Sequence, residues 1–116
     1  MQTIILRFGN ILDSIEVNGQ RFGGAGGHNT ATINLAPNEK VMSIQYSAAK
    51  KFYKDKAYCN FTIHTNKRAW GPYNTNAEHC DMATGSYSRH ISDGNFLEFM
   101  QQNARTNSHD FIEFTS

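Results

Sequence analysis

Two short segments near the N-terminus combine a carboxylate with a run of glycines. Gly9-Asn10-Ile11-Leu12-Asp13 has the composition of a turn that ends on an acid, and Gly23-Gly24-Ala25-Gly26-Gly27 begins ten positions after Asp13. A carboxylate accepts hydrogen bonds, and a glycine loop lets a ligand come close to backbone N–H donors. A neutral polyol needs both, because each hydroxyl donates one hydrogen bond and accepts others. The two segments together therefore predict a carbohydrate-binding site.

The length and net charge of the chain argue against several other classes of binding partner. The chain has 116 residues and a formal net charge of +1, and no run of Lys and Arg is longer than two. This argues against nucleic acid or an anionic membrane as the main partner. No apolar stretch approaches the roughly 18 residues of a membrane helix. We expect a single domain over residues 1–116 without membrane insertion.

The N-terminus gives an expectation about location. Its apolar run, Ile4-Ile5-Leu6, is too short for a signal peptide. A cytoplasmic protein, an unconventional secretion route and a removed leader are the alternatives that this leaves open.

Alternation of polar and apolar residues indicates β-strands along most of the chain. Period two is clear in five segments, at residues 14–18, 30–35, 41–46, 60–64 and 110–114. Turn-forming pairs such as Asn18-Gly19 and Asp93-Gly94 lie between strand segments. Residues 47–54 have a helix-like composition, but the segment is short and lacks capping signals, so we interpret it as a hairpin connection. The prediction is an all-β fold.

An internal repeat suggests how the strands are arranged. Residues 9–15 align with Gly94-Asn95-Phe96-Leu97-Glu98-Phe99-Met100: the glycine, asparagine and leucine are identical, and Glu98 stands for Asp13. Residues 55–61 give a weaker third copy. Three copies, each followed by a strand, a loop and a strand, predict three small antiparallel sheets with pseudo-threefold symmetry around one core. Gly94, Asn95, Phe96, Leu97 and Glu98 are then a candidate second site.

Catalytic and metal-binding patterns are not recognisable. We find no nucleophile elbow, phosphate loop or paired carboxylates beside a base, so we expect no enzyme activity and no cofactor. Glu78-His79-Cys80-Asp81 is rich in possible ligands, but successive residues of an extended chain point to opposite sides. Because no second ligand pair stands at a zinc-like spacing, we expect no metal site.

Several of these motifs together resemble the jacalin-related lectins. The similar segments are residues 6–15, the glycine loop, Glu39 before a strand, Thr65-Asn66-Lys67-Arg68-Ala69-Trp70-Gly71-Pro72-Tyr73 and residues 94–98. They cover most of the chain, and the pattern is most similar to the griffithsin-like mannose-binding members. The resemblance implies a β-prism of three antiparallel sheets and a lectin that binds mannose- or glucose-type glycans or glycoproteins.

The resemblance also implies roles for individual residues. In the family a sugar lies between an aspartate that closes a turn and the N–H groups of a glycine loop. Carried over, Asp13 accepts hydrogen bonds from two adjacent hydroxyls, while the N–H groups of Leu12, Asp13 and Gly27 donate. Gly26 and His28 border the site, and Ile11 takes the place of an aromatic residue that packs on the sugar. Because stacking is lost, we expect weak monovalent binding and therefore a homo-oligomer that gains by multivalency.

The other two repeats depart from the family pattern. In the second, Cys59 stands at the aspartate position, and the resemblance places it opposite Cys80; a disulfide or two reduced thiols are both open. In the third, Glu98 keeps a carboxylate, but the loop at residues 103–109 has no glycine. We expect one good site, one doubtful site and one that has been lost.

Two other interpretations of the chain remain open. Asp13 can simply cap a turn, and the glycine loop can be a hairpin that binds nothing. With its sugar sites degenerate, the same domain would be a protein-interaction module associated with a toxin or a host. Loss of the aromatic at Ile11 favours this alternative.

Overall fold

The structure, a computed structural model, describes residues 2–48, 57–75 and 86–115. These residues form ten strands, a short 3-10 helix and one α-helix. The bounds are β1 Thr3–Phe8, β2 Leu12–Val17, β3 Gln20–Gly23, β4 Asn29–Asn34, β5 Val41–Ala48, β6 Tyr58–Thr65, β7 Ala69–Tyr73, β8 Ser86–His90, the 3-10 helix Ser92–Gly94, α1 Phe96–Asn103, β9 Ala104–Thr106 and β10 Ile112–Phe114.

Within the described ranges the strands form three antiparallel sheets. The first has the order β3-β2-β1-β4, the second β7-β6-β5-β8 and the third β10-β9. The all-β prediction and the three-sheet arrangement are confirmed. The third sheet has two strands where the first two have four, because a helix occupies part of the third repeat.

The core follows from the period-two pattern. Along β1, Ile4 and Leu6 are fully buried, and in β2 they face Val17 and Ile15 in register. Since alternate residues of a strand share one face, each sheet contributes one apolar face to a common cluster. The cluster draws on all three sheets and on α1, so the sheets bury their apolar faces against one another.

The third repeat folds differently from the prediction. The segment at residues 94–98 does not form a turn followed by a strand, because α1 begins at Phe96. Asn95 caps this helix by accepting a hydrogen bond from the Glu98 N–H at 3.1 Å, and its amide donates back to Glu98 Oε2 at 3.0 Å. Phe96 and Met100, four residues apart, are both fully buried on one helix face. The prediction of a strand here was wrong.

Some sequence predictions fall partly or wholly outside the described ranges. Of the proposed hairpin connection at 47–54, Ser47 and Ala48 belong to β5, and residues 49–54 lie outside. The Glu78–Asp81 segment also lies outside. In the described part of the chain, no helix is long and apolar enough to cross a membrane.

Candidate functional site

The acidic turn and the glycine loop meet at one end of the first sheet. Asp13 lies in β2, and the loop connects β3 to β4. The Gly24 N–H donates to the Asp13 carbonyl at 3.1 Å. A Cβ atom built on Gly26 would lie 2.9 Å from Asp13 Oδ1, and one built on Gly27 would lie 2.9 Å from Asp13 Oδ2. Only glycine lets this backbone pass so close to both carboxylate oxygens.

The turn before Asp13 is held against the same loop. The Gly9 N–H donates to the Ile11 carbonyl at 3.0 Å, which closes the turn between β1 and β2. A Cβ on Gly9 would lie 3.7 Å from Gly27 Cα and 3.9 Å from the backbone nitrogen of His28. The structure therefore brings together the predicted residues of the turn and those of the loop, including His28 at its edge.

The groups around Asp13 have opposing effects on the pKa of its carboxyl. Partial burial raises the pKa of this carboxyl above its ordinary value of 3.8, and nearby Asp110 raises it further, while Arg7 and His28 lower it. Arg7 Nε also donates to the Gly26 carbonyl at 3.3 Å, so this guanidinium fastens β1 to the loop. An acid in such a setting accepts hydrogen bonds strongly once it is ionised.

Sequence reasoning did not find Asp110. This residue precedes β10 in the third repeat and has a left-handed φ of 62°. Its carbonyl oxygen lies only 1.7 Å from where a Cβ on Gly24 would stand, and its Cγ 2.8 Å away. The glycine loop is therefore packed against the third repeat as well as against Asp13. No spacing in the sequence relates two residues that are so far apart along the chain.

Asn74 was also missed, and it supports the turn from the second sheet. The side chain is buried, and its hydrogen-bonding surroundings assign the amide nitrogen to the Gly9 carbonyl, 2.7 Å away. The amide oxygen then accepts from the Leu12 N–H at 3.3 Å. The Leu12 N–H was expected to donate to a sugar, but in the structure it faces this amide.

Ile11 and Cys59 lie together in a small satellite core. Ile11 is partly buried and packs against Ala57, Cys59 and Phe111. Its side chain thus serves this cluster, although it stands where the family has a stacking aromatic. Cys59 is fully buried and disulfide-bonded. The expected partner Cys80 lies outside the described residues, so the Cys59–Cys80 pairing stays a prediction.

The candidate second site has a different local structure. Phe96 belongs to the core, and Glu98 takes part in the capping of α1, where Gln102 Nε2 also donates to its Oε1 at 3.2 Å. The carboxylate of Glu98 is therefore not placed as Asp13 is placed. Among the described residues no group of three or more His, Cys, Asp or Glu side chains could hold a metal ion.

A further buried carboxylate, Glu39, has a structural environment. Although burial disfavours its charge, the Ala36 N–H, the Thr65 hydroxyl and the Trp70 Nε1 donate to it at 3.0, 2.7 and 3.0 Å. With the Arg68 guanidinium at 3.3 Å, these donors hold the pKa of Glu39 at about 2. The acid is surrounded by the chain's own donors, and through Thr65 and Trp70 it links the start of β5 to β6 and β7.

Solved structures with the same fold are jacalin-related lectins. Wild-type Malaysian banana lectin matches with a TM-score of 0.63 at 21% identity, over 97% of this chain and 76% of that one. A mannose-binding jacalin-related lectin from Ananas comosus gives 0.60 at 18%, with 97% and 76% covered. A galactose-binding lectin from champedak gives 0.57 at 17%, with 98% and 89% covered. At these low identities, the TM-scores show a shared fold and nothing more specific.

A family model provides the assignment. The jacalin-like lectin domain matches residues 2–100, which include the whole Asp13 turn, the glycine loop and most of α1. No curated protein sequence matches the chain significantly. On the strength of the domain match, this chain belongs to the jacalin-like lectin family of carbohydrate-binding proteins.

Proposed function

We propose that the protein is a non-catalytic lectin whose main sugar site lies between Asp13 and the Gly26-Gly27-His28 end of the glycine loop. The observation that carries this proposal is the position of the Asp13 carboxylate. Both of its oxygens lie where a Cβ on Gly26 or Gly27 would almost touch them. A ligand hydroxyl at this place meets a carboxylate and bare backbone at once.

Each group has a role that its chemistry permits. The Asp13 carboxylate accepts hydrogen bonds from two adjacent hydroxyls, and the N–H groups of Asp13 and Gly27 donate to sugar oxygens. The Leu12 N–H is left out of this set, because the Asn74 amide oxygen accepts from it. Arg7 keeps the Gly26 end of the loop in place through the Gly26 carbonyl. A preformed site of this kind orders few groups on binding, which lowers the entropic cost.

The sugar class that we propose is mannose or glucose. The griffithsin-like pattern of the turn and loop supports this choice, and so does the structural similarity to the mannose-binding lectin from Ananas comosus. The champedak relative is described as galactose binding, so the fold is compatible with more than one class. Glycoproteins that carry exposed mannose are the partners we expect, and self-assembly of the chain would raise their avidity.

Calorimetric titration with D-mannose, D-glucose and D-galactose tests the proposal. We expect millimolar to submillimolar binding of the first two, and a loss of about tenfold or more in Asp13→Asn, because a charge-assisted hydrogen bond becomes a neutral one. Glu16→Gln is the matched control, since it removes a carboxylate from the same strand. Equal affinity of wild type and Asp13→Asn would refute the site.

One observation favours a second function. Ile11 packs inward against Ala57 and Phe111, so the turn offers no aromatic face to a sugar. If a glycan array stays empty for both the wild type and Asp13→Asn, the domain is a protein-interaction module instead. Pull-down on immobilised Asp13→Asn and wild type would then recover the same partner.

A further inference from the structure

The outer strands of the two four-stranded sheets differ in how well they are protected. The strand orders place β3 and β4 at the edges of the first sheet, and β7 and β8 at the edges of the second. An outer strand has one row of N–H and C=O groups without a partner in the sheet, so a strand of another chain can pair with it. Proteins prevent this with charged residues, prolines, bulges or a covering element.

Three of the four edges carry such protection. β3 contacts the third sheet, where the Gly23 N–H donates to Thr106 Oγ1 and that hydroxyl donates to the Gly23 carbonyl, both at 3.1 Å. β7 contains Pro72, which has no N–H, and its register with β6 is shifted. β8 contains Arg89, which lies opposite the fully buried Ile44 and so brings a charge to the inner side of that edge.

β4 has none of these features. Its six residues, Asn-Thr-Ala-Thr-Ile-Asn, include no charge and no proline, and they pair with β1 without a bulge. Four of the six are exposed: Asn29, Thr30, Thr32 and Asn34. In the described part of the chain no strand pairs with the outer side of β4. This edge is therefore open to a strand from outside the chain.

The protection of the other edges indicates which strand fits. A strand can pair with β4 only if it also has an open edge, and among the described strands of a second copy that strand is again β4. Because the segment is uncharged, two copies bring no like charges together when they pair. Each copy offers one open edge and uses it once, so the assembly closes as a twofold dimer and does not grow into a filament.

The two faces of β4 are compatible with this pairing. Ile33 is fully buried and Ala31 packs against the core, so both lie on the inner face, whereas Thr30 and Thr32 lie on the outer face. A twofold axis perpendicular to the sheet makes the strands antiparallel and keeps inner face beside inner face. The outer threonines of the two copies then become cross-strand neighbours, and hydroxyl pairs of this kind stabilise sheets.

We propose that β4 is a self-association edge, through which two copies of this chain join their first sheets, four strands from each, into one continuous antiparallel sheet. The pairing itself does not depend on sugar binding. β4 begins two residues after Gly27, and six residues of strand span about 20 Å. The candidate sugar sites of the two copies would therefore lie at opposite ends of the paired strands, an arrangement that cross-links separate glycans.

Sedimentation equilibrium of the full chain without sugar tests the proposal. An edge of six residues buries less than the roughly 1,200 Å² at the lower bound of standard interfaces, so we expect a monomer–dimer equilibrium with a Kd of about 10–100 μM. Thr30→Lys combined with Thr32→Lys places positive charges from both copies side by side on one short edge. This variant should raise the Kd about tenfold or more.

Ser86→Lys combined with Ser88→Lys is the matched control. These two serines are exposed on β8, another outer strand, and the change in net charge is the same. The control should leave the Kd unchanged, and circular dichroism should show that both variants are folded. Equal weakening by the two variants would overturn the proposal, as would a wild type that stays monomeric at about 1 mM.

Amide hydrogen exchange locates the interface in the wild type. Along β4 the N–H groups point alternately to β1 and to the open edge. Those at the open edge should exchange about fivefold more slowly at about 1 mM than at about 10 μM protein, whereas those bonded to β1 should be protected at both concentrations. Concentration-dependent protection in another strand instead of β4 would overturn the proposal. Because no sugar is present, these results are independent of the titrations that test the Asp13 site.

Discussion

Two copies of one sequence pattern adopt different structures in this protein. Gly9-Asn10-Ile11-Leu12-Asp13 forms a turn that runs into β2, whereas Gly94-Asn95-Phe96-Leu97-Glu98 ends a 3-10 helix and starts α1. The glycine, asparagine and leucine are identical in the two. The copies differ in their third residue, Ile11 against the buried Phe96, in the acid and in the residues that follow, so the difference in structure arises from these positions.

The extra methylene of Glu98 matters because it reaches back to the cap. A helix that begins with an asparagine and has glutamate three positions later satisfies two backbone or side-chain donors reciprocally. The residues after Glu98 are Phe, Met and two glutamines, and Met and Gln are good helix formers. After Asp13 come Ser14, Ile15 and Val17, of which the β-branched pair favours a strand. The shared motif therefore does not determine whether a strand or a helix follows it.

The largest effect should come from the glycine loop, which has no counterpart beside Glu98. Gly24→Ala would place a Cβ 1.7 Å from the Asp110 carbonyl oxygen. We expect the free energy of unfolding to fall by about 2–4 kcal/mol, since backbone must move on both sides. Chemical denaturation measures this loss. Gly9→Ala is the control: its nearest neighbour would be at 3.7 Å, so a comparable loss there would contradict the argument.

The next largest difference in stability should be between alanine substitutions of the two equivalent asparagines, Asn10 and Asn95. Asn95→Ala removes the cap of α1 and should lower the free energy of unfolding by about 1 kcal/mol. Asn10→Ala, at the same place in the first copy, changes an exposed residue outside any helix and should cost about 0.5 kcal/mol or less. Thermal denaturation of the two variants compares them directly. If both substitutions lower the free energy of unfolding by the same amount, helix capping does not distinguish the two copies of the motif.

Protonation of Asp13 should affect folding stability and sugar affinity in opposite directions. Because burial and Asp110 raise its pKa above 3.8, the folded chain holds the proton more tightly than the unfolded chain. Its contribution to folding stability is therefore greatest below 3.8 and falls as pH rises through the raised pKa. Sugar binding needs the carboxylate, so affinity should fall as pH is lowered through that same raised pKa.

Asp110→Asn sharpens this prediction. Removal of the neighbouring negative charge lowers the pKa of Asp13, so the acid loss of sugar affinity should shift to lower pH. Calorimetry at a series of pH values gives the two midpoints. An unchanged midpoint would mean that Asp110 exerts no influence on the site.

Local patterns predicted much of this molecule. The alternation in residues 30–35 and 41–46 was sufficient for β4 and β5, and the approach of Asp13 to the glycine loop followed from two short motifs and a family resemblance. The helix was missed because the alignment with residues 9–15 was taken to imply the same local structure, and the Asn95–Glu98 pair was not recognised as a helix cap. Asp110 and Asn74 were missed because their contacts depend on how three sheets pack, and no local spacing encodes such packing.

Asn74 couples the second repeat, which is expected to bind no sugar itself, to the candidate site in the first. Its amide spans from the second sheet to both ends of the Gly9 turn. Any fluctuation that pulls the second sheet outward must first break these bonds, so opening of that sheet and loosening of the acidic turn become one event. A bound sugar would therefore slow amide hydrogen exchange in β6 and β7 as well as at the turn, even though neither strand touches the ligand.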